Sequence, residues 1–317
     1  MDVKFWGVRG SLAAPLSPEQ VQAKINAAVQ LVQPKDLESQ DARQKFLSSL
    51  PPYVYGTIGG NTPCVQVTSS SNDVLIFDAG TGMRALGLDS HLAAATHYSL
   101  FLSHLHWDHI QGFPFFGPLY DSKVAIDIYS PSEDIAEMFA RQMRAPFYPV
   151  DFGVVRDRIK FNVISPGKEC RVGGVSVSCC KMNHPGGSYS YSVEEDGKKV
   201  VYATDVELSN FELNDDIKKV FGYADVAILD SQYTPQDALG KSNWGHSAFS
   251  YALDFAVEMK VKKAYLFHYD PSYDDKKVNS IFSRRKCIRN PYPRRILKSS
   301  LRSKGKVSVY DASEIFL

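Results

Sequence analysis

The sequence predicts a layered α/β protein, and two observations carry that expectation. Short runs rich in β-branched and aromatic residues recur along the whole chain, interleaved with fewer segments of helical periodicity. Five of the apolar runs also end one to three residues before a histidine or an aspartate, the edge where α/β sheets place their sites.

The expected strands are residues 3–6, 64–68, 74–77, 98–102, 124–129, 175–180, 200–202, 226–229, 264–267 and 307–310. Asp196-Gly197 lies between two such runs, 189–193 and 199–202, and marks a hairpin. Helices are expected at 17–32, 36–50, 135–144, 210–221 and 247–259, with Ser132 as N-cap of the third. Residues 12–52 read as a helical insertion between the first strand and the turn Gly59-Gly60-Asn61-Thr62. No linker, repeat or low-complexity tract divides the chain, so a single domain over 1–317 is expected.

With 317 residues and 44% hydrophobic content, a large core is affordable. A formal charge of +1 sets up no global field toward nucleic acid or membrane. No apolar run approaches the ~18 residues of a spanning helix, and the amino terminus lacks the pattern of a signal peptide. Five cysteines (Cys64, Cys170, Cys179, Cys180 and Cys287) without CxxC spacing argue against disulfides and against a cysteine zinc site, and suggest reduced thiols in a cytoplasmic protein. Residues 284–306 carry ten Lys or Arg and no acid, a phosphate-attracting face or simply a solvated segment.

The chemistry concentrates in His104-Leu105-His106-Trp107-Asp108-His109. In an extended segment His104 and His106 point the same way and can grip one ion. A turn after them lets Asp108 and His109 face a second. Imidazole and carboxylate suit zinc, with manganese or iron as alternatives. Burying so many polar groups without a metal costs several kcal/mol. Three further histidines follow in later loops: His184, His246 and His268. His91 and His97 lie in a polar connection and read as surface residues.

His104-x-His106-x-Asp108-His109, followed by His184, Asp205 and His268, resembles the five-motif pattern of the metallo-β-lactamase superfamily. The segments 5–11, 59–62 and 76–82 are similar to the branch of ribonuclease Z and its phosphodiesterase relatives. The resemblance runs from about residue 2 to 312, leaving out the insertion and the basic stretch. It implies an αββα sandwich, two central mixed sheets flanked by helices. It also implies two divalent ions, one on His104, His106 and His184 and the other on Asp108, His109 and His268, with Asp205 bridging. Asp78 would orient a ligand histidine, and a water between the ions would lose its proton near neutral pH to become the nucleophile.

Asp108, as a ligand, together with His246 and Asp230, forms the implied catalytic set. In the ribonuclease Z-like branch a histidine in a Gly-His-Ser setting protonates the leaving oxygen and an upstream carboxylate orients it. Asp230 stands where those enzymes usually carry glutamate. The bland alternative makes His246 the N-cap of the 247–259 helix. Aromatic and apolar residues at 143–150, with Phe113, Phe115 and Phe116, offer either a wall for a base or ordinary core packing.

The expected function is a dinuclear phosphodiesterase acting on a small nucleotide or cyclic nucleotide. Alternatives are an RNA 3′-end endonuclease and a lactone, thioester or β-lactam hydrolase on the same site. An iron redox role is disfavoured, since flavodiiron relatives carry glutamate where His106 stands. The expected partners are a nucleotide substrate or RNA, with no membrane, and by analogy a second copy in a homodimer.

Overall fold

A computed structural model of the chain describes residues 1–92, 94–209, 212–283 and 308–311. The basic segment 284–306, with Cys287, lies outside the described residues, as do residues 210, 211 and 307 of two expected elements.

Two mixed sheets form the centre. The first runs in chain order: β1 (Asp2–Gly7), β2 (Cys64–Thr68), β3 (Val74–Phe77), β4 (His97–Phe101), β5 (Ala125–Ser130) and β6 (Ile159–Val163). Its first two pairings are antiparallel and the remainder parallel. The second contains β7 (Glu169–Val172), β8 (Val175–Met182), β9 (Ser188–Glu195), β10 (Lys198–Ala203), β11 (Val226–Asp230), β12 (Lys263–Phe267) and β13 (Ser308–Asp311), paired in that order. Here β7 to β10 are antiparallel and β10 to β13 parallel. Asp196 and Gly197 both take positive φ, 48° and 72°, which closes the β9–β10 hairpin with the twist its strands require.

The strand sequences show why the sheets stack. In β3, Leu75 and Phe77 face the second sheet while Val74 and Ile76 face outward, and all four are buried. A strand covered on both faces reads as an unbroken apolar run rather than an alternation. Between the sheets, Phe5, Val65, Val67 and Phe101 meet Val175, Val177, Tyr191 and Val200, and the Phe77 and Phe101 rings stack at 5.2 Å. Each such side chain contributes about 1.5–3 kcal/mol on burial.

Helices cover the outer faces. In the insertion lie α1 (Pro18–Leu31), α2 (Gln40–Ser49) and the single turn α3 (Pro52–Tyr55). On the first sheet are α4 (Gly82–Leu86), α5 (Trp107–Ile110) and α6 (Ile135–Gln142), and with the second α7 (Asp215–Phe221), α8 (Phe249–Glu258) and α9 (Asp275–Ser283). Neither α1 nor α2 buries a residue; Lys24 of α1 ties the insertion to Asp275 of α9 at 2.6 Å.

Several local expectations change. The helix expected at 36–50 splits into a 3₁₀ turn, Pro34–Leu37, and α2, because the Ser39 hydroxyl accepts the Ala42 N–H and restarts the helix. Ser132 does not cap α6; Asp134 holds that position without a side-chain bond. Strands β6 and β7 were not expected, although Ile159-Lys160-Phe161-Asn162-Val163 and Glu169-Cys170-Arg171-Val172 alternate apolar and polar residues; both runs are short and largely half-exposed.

The topology positions the site. Parallel neighbours end on the same edge, so β3 and β4 deliver Asp78, Ser103 and His104 together, and β10, β11 and β12 deliver Asp205, Asp230 and His268. Because the sheets face one another, these two edges converge. Among the described residues no helix is long and apolar enough to cross a membrane.

Candidate metal centre

Six imidazoles form a closed ring. Successive centroids lie 4.4 Å (His104–His106), 5.0 Å (His106–His184), 5.2 Å (His184–His246), 5.1 Å (His246–His268), 5.4 Å (His268–His109) and 4.3 Å (His109–His104) apart. The carboxylates of Asp205 and Asp108 lie among them. Asp205 Oδ1 is 3.7 Å from Nε2 of both His104 and His184, and Oδ2 is 3.1 Å from Nε2 of both His109 and His268. Asp108 Oδ2 is 3.2 Å from His109 Nε2 and 3.3 Å from His268 Nε2.

The structure therefore brings all nine site residues from the sequence reading into one cluster, as three overlapping groups. These are His104, His106, His184 and Asp205; Asp108, His109 and His268; and Asp205, Asp230, His246 and His268. Within each group the ligand atoms lie inside 4.8 Å of one another.

Neighbouring groups fix which nitrogen each ring presents. Asp78 accepts the Ser103 N–H and the Ser103 hydroxyl, each at 2.7 Å, the Tyr202 hydroxyl at 2.8 Å, and faces His109 Nδ1 at 2.7 Å. His109 is thereby left with Nε2 toward the cluster. Ser103 Oγ lies 3.0 Å from His104 Nδ1, which turns His104 Nε2 inward in the same way. His184 Nδ1 donates to the Gly245 carbonyl at 2.9 Å, leaving Nε2 at 3.2 Å from His106 Nδ1. Gly245 has φ +81°, and a Cβ there would fall 2.2 Å from that same His184 nitrogen, so only glycine fits. At Gly10 a Cβ would meet His268 Nδ1 at 2.5 Å. Asp78, Asp205 and His268 themselves carry positive φ of 60°, 52° and 64°, backbone strain gathered at the strand ends.

The electrostatics call for added positive charge. Asp78, Asp108, Asp205 and Asp230 are buried, and among the described residues all their ion pairs are with histidines. Burial works to raise the Asp108 carboxyl, yet His109 and His268 hold it well below the usual range. Burial likewise opposes charge on His109, but Asp108, Asp205 and Asp78 overcome it and push its pKa well up. Burial, followed by repulsion from His109, drives His104 well below its ordinary value, so its lone pair is available. Nε2 of His104 and of His109 are buried without a hydrogen-bond partner, a costly state in a protein interior. A nitrogen- and oxygen-bearing cage with orphaned imidazole nitrogens and surplus acid fits divalent cations, which would displace the proton favoured on His109.

His246 stands at the rim, partly accessible. Its Nδ1 lies 2.9 Å from Asp230 Oδ2, and its ring stacks on His268. Burial works against protonation, but Asp230 raises its pKa above the ordinary value. It does not cap α8, whose N-cap is Ala248. The sequence reading missed Ser103, Tyr202, Gln232 (Oε1 3.2 Å from His268 Nδ1) and Ser11 (N–H 2.8 Å from Asp108 Oδ2). Signals were present in the adjacency of Ser103 to His104, in Ser11 closing the 5–11 segment and in Gln232 two residues after Asp230; Tyr202 is brought in by strand order.

The model of the family described as "Beta-lactamase superfamily domain" matches residues 74–269, more than half of the chain. The chain belongs to the beta-lactamase superfamily. With that membership and this donor set, it is a metal-dependent hydrolase. A ribonuclease Z of Picrophilus torridus is 23% identical over 282 residues, covering 73% of this chain and 87% of the relative. Among solved structures, the short form of human tRNase Z (20% identity, TM-score 0.56) spans 85% of this chain and 93% of its own. A diphosphatase of the PhnP family (15% identity, TM-score 0.57) spans 88% and 90%. At these identities the structural likeness establishes the superfamily sandwich and no more.

Proposed function

We propose that this superfamily member hydrolyses phosphodiesters of nucleotides with the help of two divalent cations, zinc by the chemistry of its donors. His104, His106 and His184 would hold one cation, and Asp108, His109 and His268 the other. The two oxygens of Asp205, each facing one of these triads, would serve both. When bound, such a pair supplies Lewis-acid chemistry, neutralising phosphate charge and easing deprotonation of water.

The observation that carries the phosphodiester reading is the pair His246–Asp230 beside these triads. A proton donor beyond the metal ligands is a feature of the ribonuclease Z-like branch, and a nucleotide phosphodiester expels an alkoxide that such a donor can protonate. Asp230 accepts from His246 Nδ1 and favours the charged ring, so Nε2 can donate a proton to the departing oxygen. Asp230 also takes the N–H groups of Asp205 (3.1 Å) and Ser247 (2.8 Å), so one carboxylate aligns both the shared ligand and the acid.

A small nucleotide is the favoured substrate, in keeping with the likeness to a diphosphatase. The alternative, cleavage at RNA 3′ ends, has comparable support in the name carried by the matched relatives, ribonuclease Z. Elemental analysis followed by turnover of bis(p-nitrophenyl) phosphate, cyclic nucleotides, a pre-tRNA and nitrocefin decides among these. Hydrolysis of nitrocefin alone would refute the phosphodiester reading.

A further inference from the structure

The apolar and aromatic residues at 107–116 and 143–150 divide into two populations. Phe113, Phe116 and Met143 are buried in the outer core of the first sheet. Trp107, Phe115 and Phe147, from the same stretches, stand 81%, 54% and 77% exposed around a groove of about 520 Å³ that Leu105 and Tyr148 also line. Exposed aromatic groups gathered at one place mark a binding surface rather than a packing defect. The wall is held in shape: the Tyr148 hydroxyl donates to the Pro114 carbonyl at 2.7 Å, and its ring meets Phe115 edge-on at 5.6 Å. Trp107 directly follows His106 and both are exposed, so the Trp107 end of this groove lies next to the accessible edge of the cluster, although none of the nine cluster residues lines it.

A second pocket, of about 370 Å³, adjoins the cluster at His246. Trp244, 59% exposed, lines it with Tyr233, Lys241, Asn243 and Ser11. Lys241 Nζ lies 3.9 Å above the Tyr233 ring and 5.7 Å from the Trp244 ring. The loop is anchored from below, because the buried Glu207 carboxylate accepts the Asn243 N–H at 2.8 Å while Asn243 holds φ 67°. Both volumes fall within the few hundred Å³ of small-ligand sites.

We infer that the substrate is a dinucleoside phosphate, with one base against Trp107 and Phe147, the other against Trp244, and the linking phosphodiester at the cluster between them. The inference rests on the phosphodiesterase reading. A cyclic mononucleotide would fill one pocket and leave the other open, whereas two preformed aromatic walls match two bases. Because His246 belongs to the Trp244 pocket, the nucleoside seated there is the one that leaves. Water oxygen bonds to phosphorus, the P–O bond to that nucleoside breaks, and its oxygen takes the His246 proton. The proton lost by the attacking water restores the ring.

The test uses the full chain loaded with zinc and compares kcat/KM for ApA, for the methyl phosphodiester of adenosine and for cyclic AMP. Stacking of one base predicts a gain of about tenfold for ApA over the methyl diester. Trp244→Ala reduces that ratio toward unity, and Trp107→Ala or Phe147→Ala lowers kcat/KM on both adenosine diesters. Both tryptophans are exposed, and melting curves check that the variants fold. As a readout apart from turnover, an unreactive dinucleoside methylphosphonate quenches tryptophan emission, and each single tryptophan variant loses part of the signal. If bis(p-nitrophenyl) phosphate is hydrolysed but the ratio is near one, or is unmoved by Trp244→Ala, the dinucleotide inference is overturned and the phosphodiesterase reading stands. Cleavage of a long RNA without turnover of ApA overturns it too. No hydrolysis of any diester overturns the phosphodiesterase reading itself.

Discussion

Asp230 Oδ2 lies 2.9 Å from Nδ1 of His246, although aspartate is one methylene shorter than the glutamate usual in the ribonuclease Z-like branch. The contact closes because Asp230 sits at the end of β11 while Gly245, at φ +81°, turns His246 down onto it.

That pair predicts a dependence on the leaving group. His246→Ala should lower kcat by roughly 10²–10⁴-fold on an alkoxide-leaving diester such as a dinucleoside phosphate. On bis(p-nitrophenyl) phosphate, whose phenolate needs no proton, the loss should be much smaller. Equal losses on both substrates, with metal content retained, would remove the proton-donor role.

Removing metal should destabilise as well as inactivate. The ligand cage holds buried carboxylates whose ion pairs, among the described residues, are all with histidines, so cations that bind only the folded chain raise its stability by mass action. A Tm that rises by several degrees with micromolar zinc and falls on chelation is expected. His104→Ala and His184→Ala should abolish that response, and a Tm indifferent to zinc would count against the cage.

Asp78 makes no contact with Asp205 or Asp108 in the structure's hydrogen bonds, yet its loss should be felt at the site. Asp78→Ala strands Ser103, Tyr202 and the Nδ1 of His109 in a buried position. About 3–5 kcal/mol of stability should be lost, and metal affinity should weaken by about 10–100-fold. Denaturant unfolding and competition with a chelating dye measure the two effects.

Gly245→Ala tests the tight approach to His184. The substitution forces a Cβ into the ring nitrogen at a backbone angle that disfavours any side chain. Zinc stoichiometry should fall from two toward one. Retention of two ions with unchanged affinity would contradict the geometry.

Asp237 offers a pH test remote from the cluster. Hydrogen bonds from Tyr273 and then Lys277 depress its pKa to about 2. A depressed folded pKa stabilises the protein above the unfolded value, near ~3.9, and that contribution fades as pH falls toward the folded one. Asp237→Asn should therefore lower Tm at pH 6 and converge on the parent protein between about pH 4 and 2. A constant difference across that window would exclude the ionic contribution. The carboxylate is more than a third exposed, so the expected effect is modest.

Much of the fold was readable because most strands are covered on both faces and so stand out as apolar runs; 64–68 and 74–77 match β2 and β3 residue for residue. Elements on the rim were not. β7 is an edge strand bearing Glu169 and Arg171, which look like loop, and the break between Pro34–Leu37 and α2 depends on a serine hydroxyl outbidding helix propagation. At the site, histidines and aspartates at strand ends were visible as residue types, but Gln232, Ser11 and Tyr202 are ordinary residue types and become partners only through contacts of long chain separation.

By itself the sequence determined the superfamily, the order of the strands along the chain and the residues able to hold metal, because periodicity and donor chemistry are local properties. Only the tertiary structure decided which nitrogen each imidazole turns inward, that Asp205 faces two triads with its two oxygens, and which aromatic rings are exposed. Those depend on two sheet edges converging, and no local pattern encodes where one edge lies relative to the other.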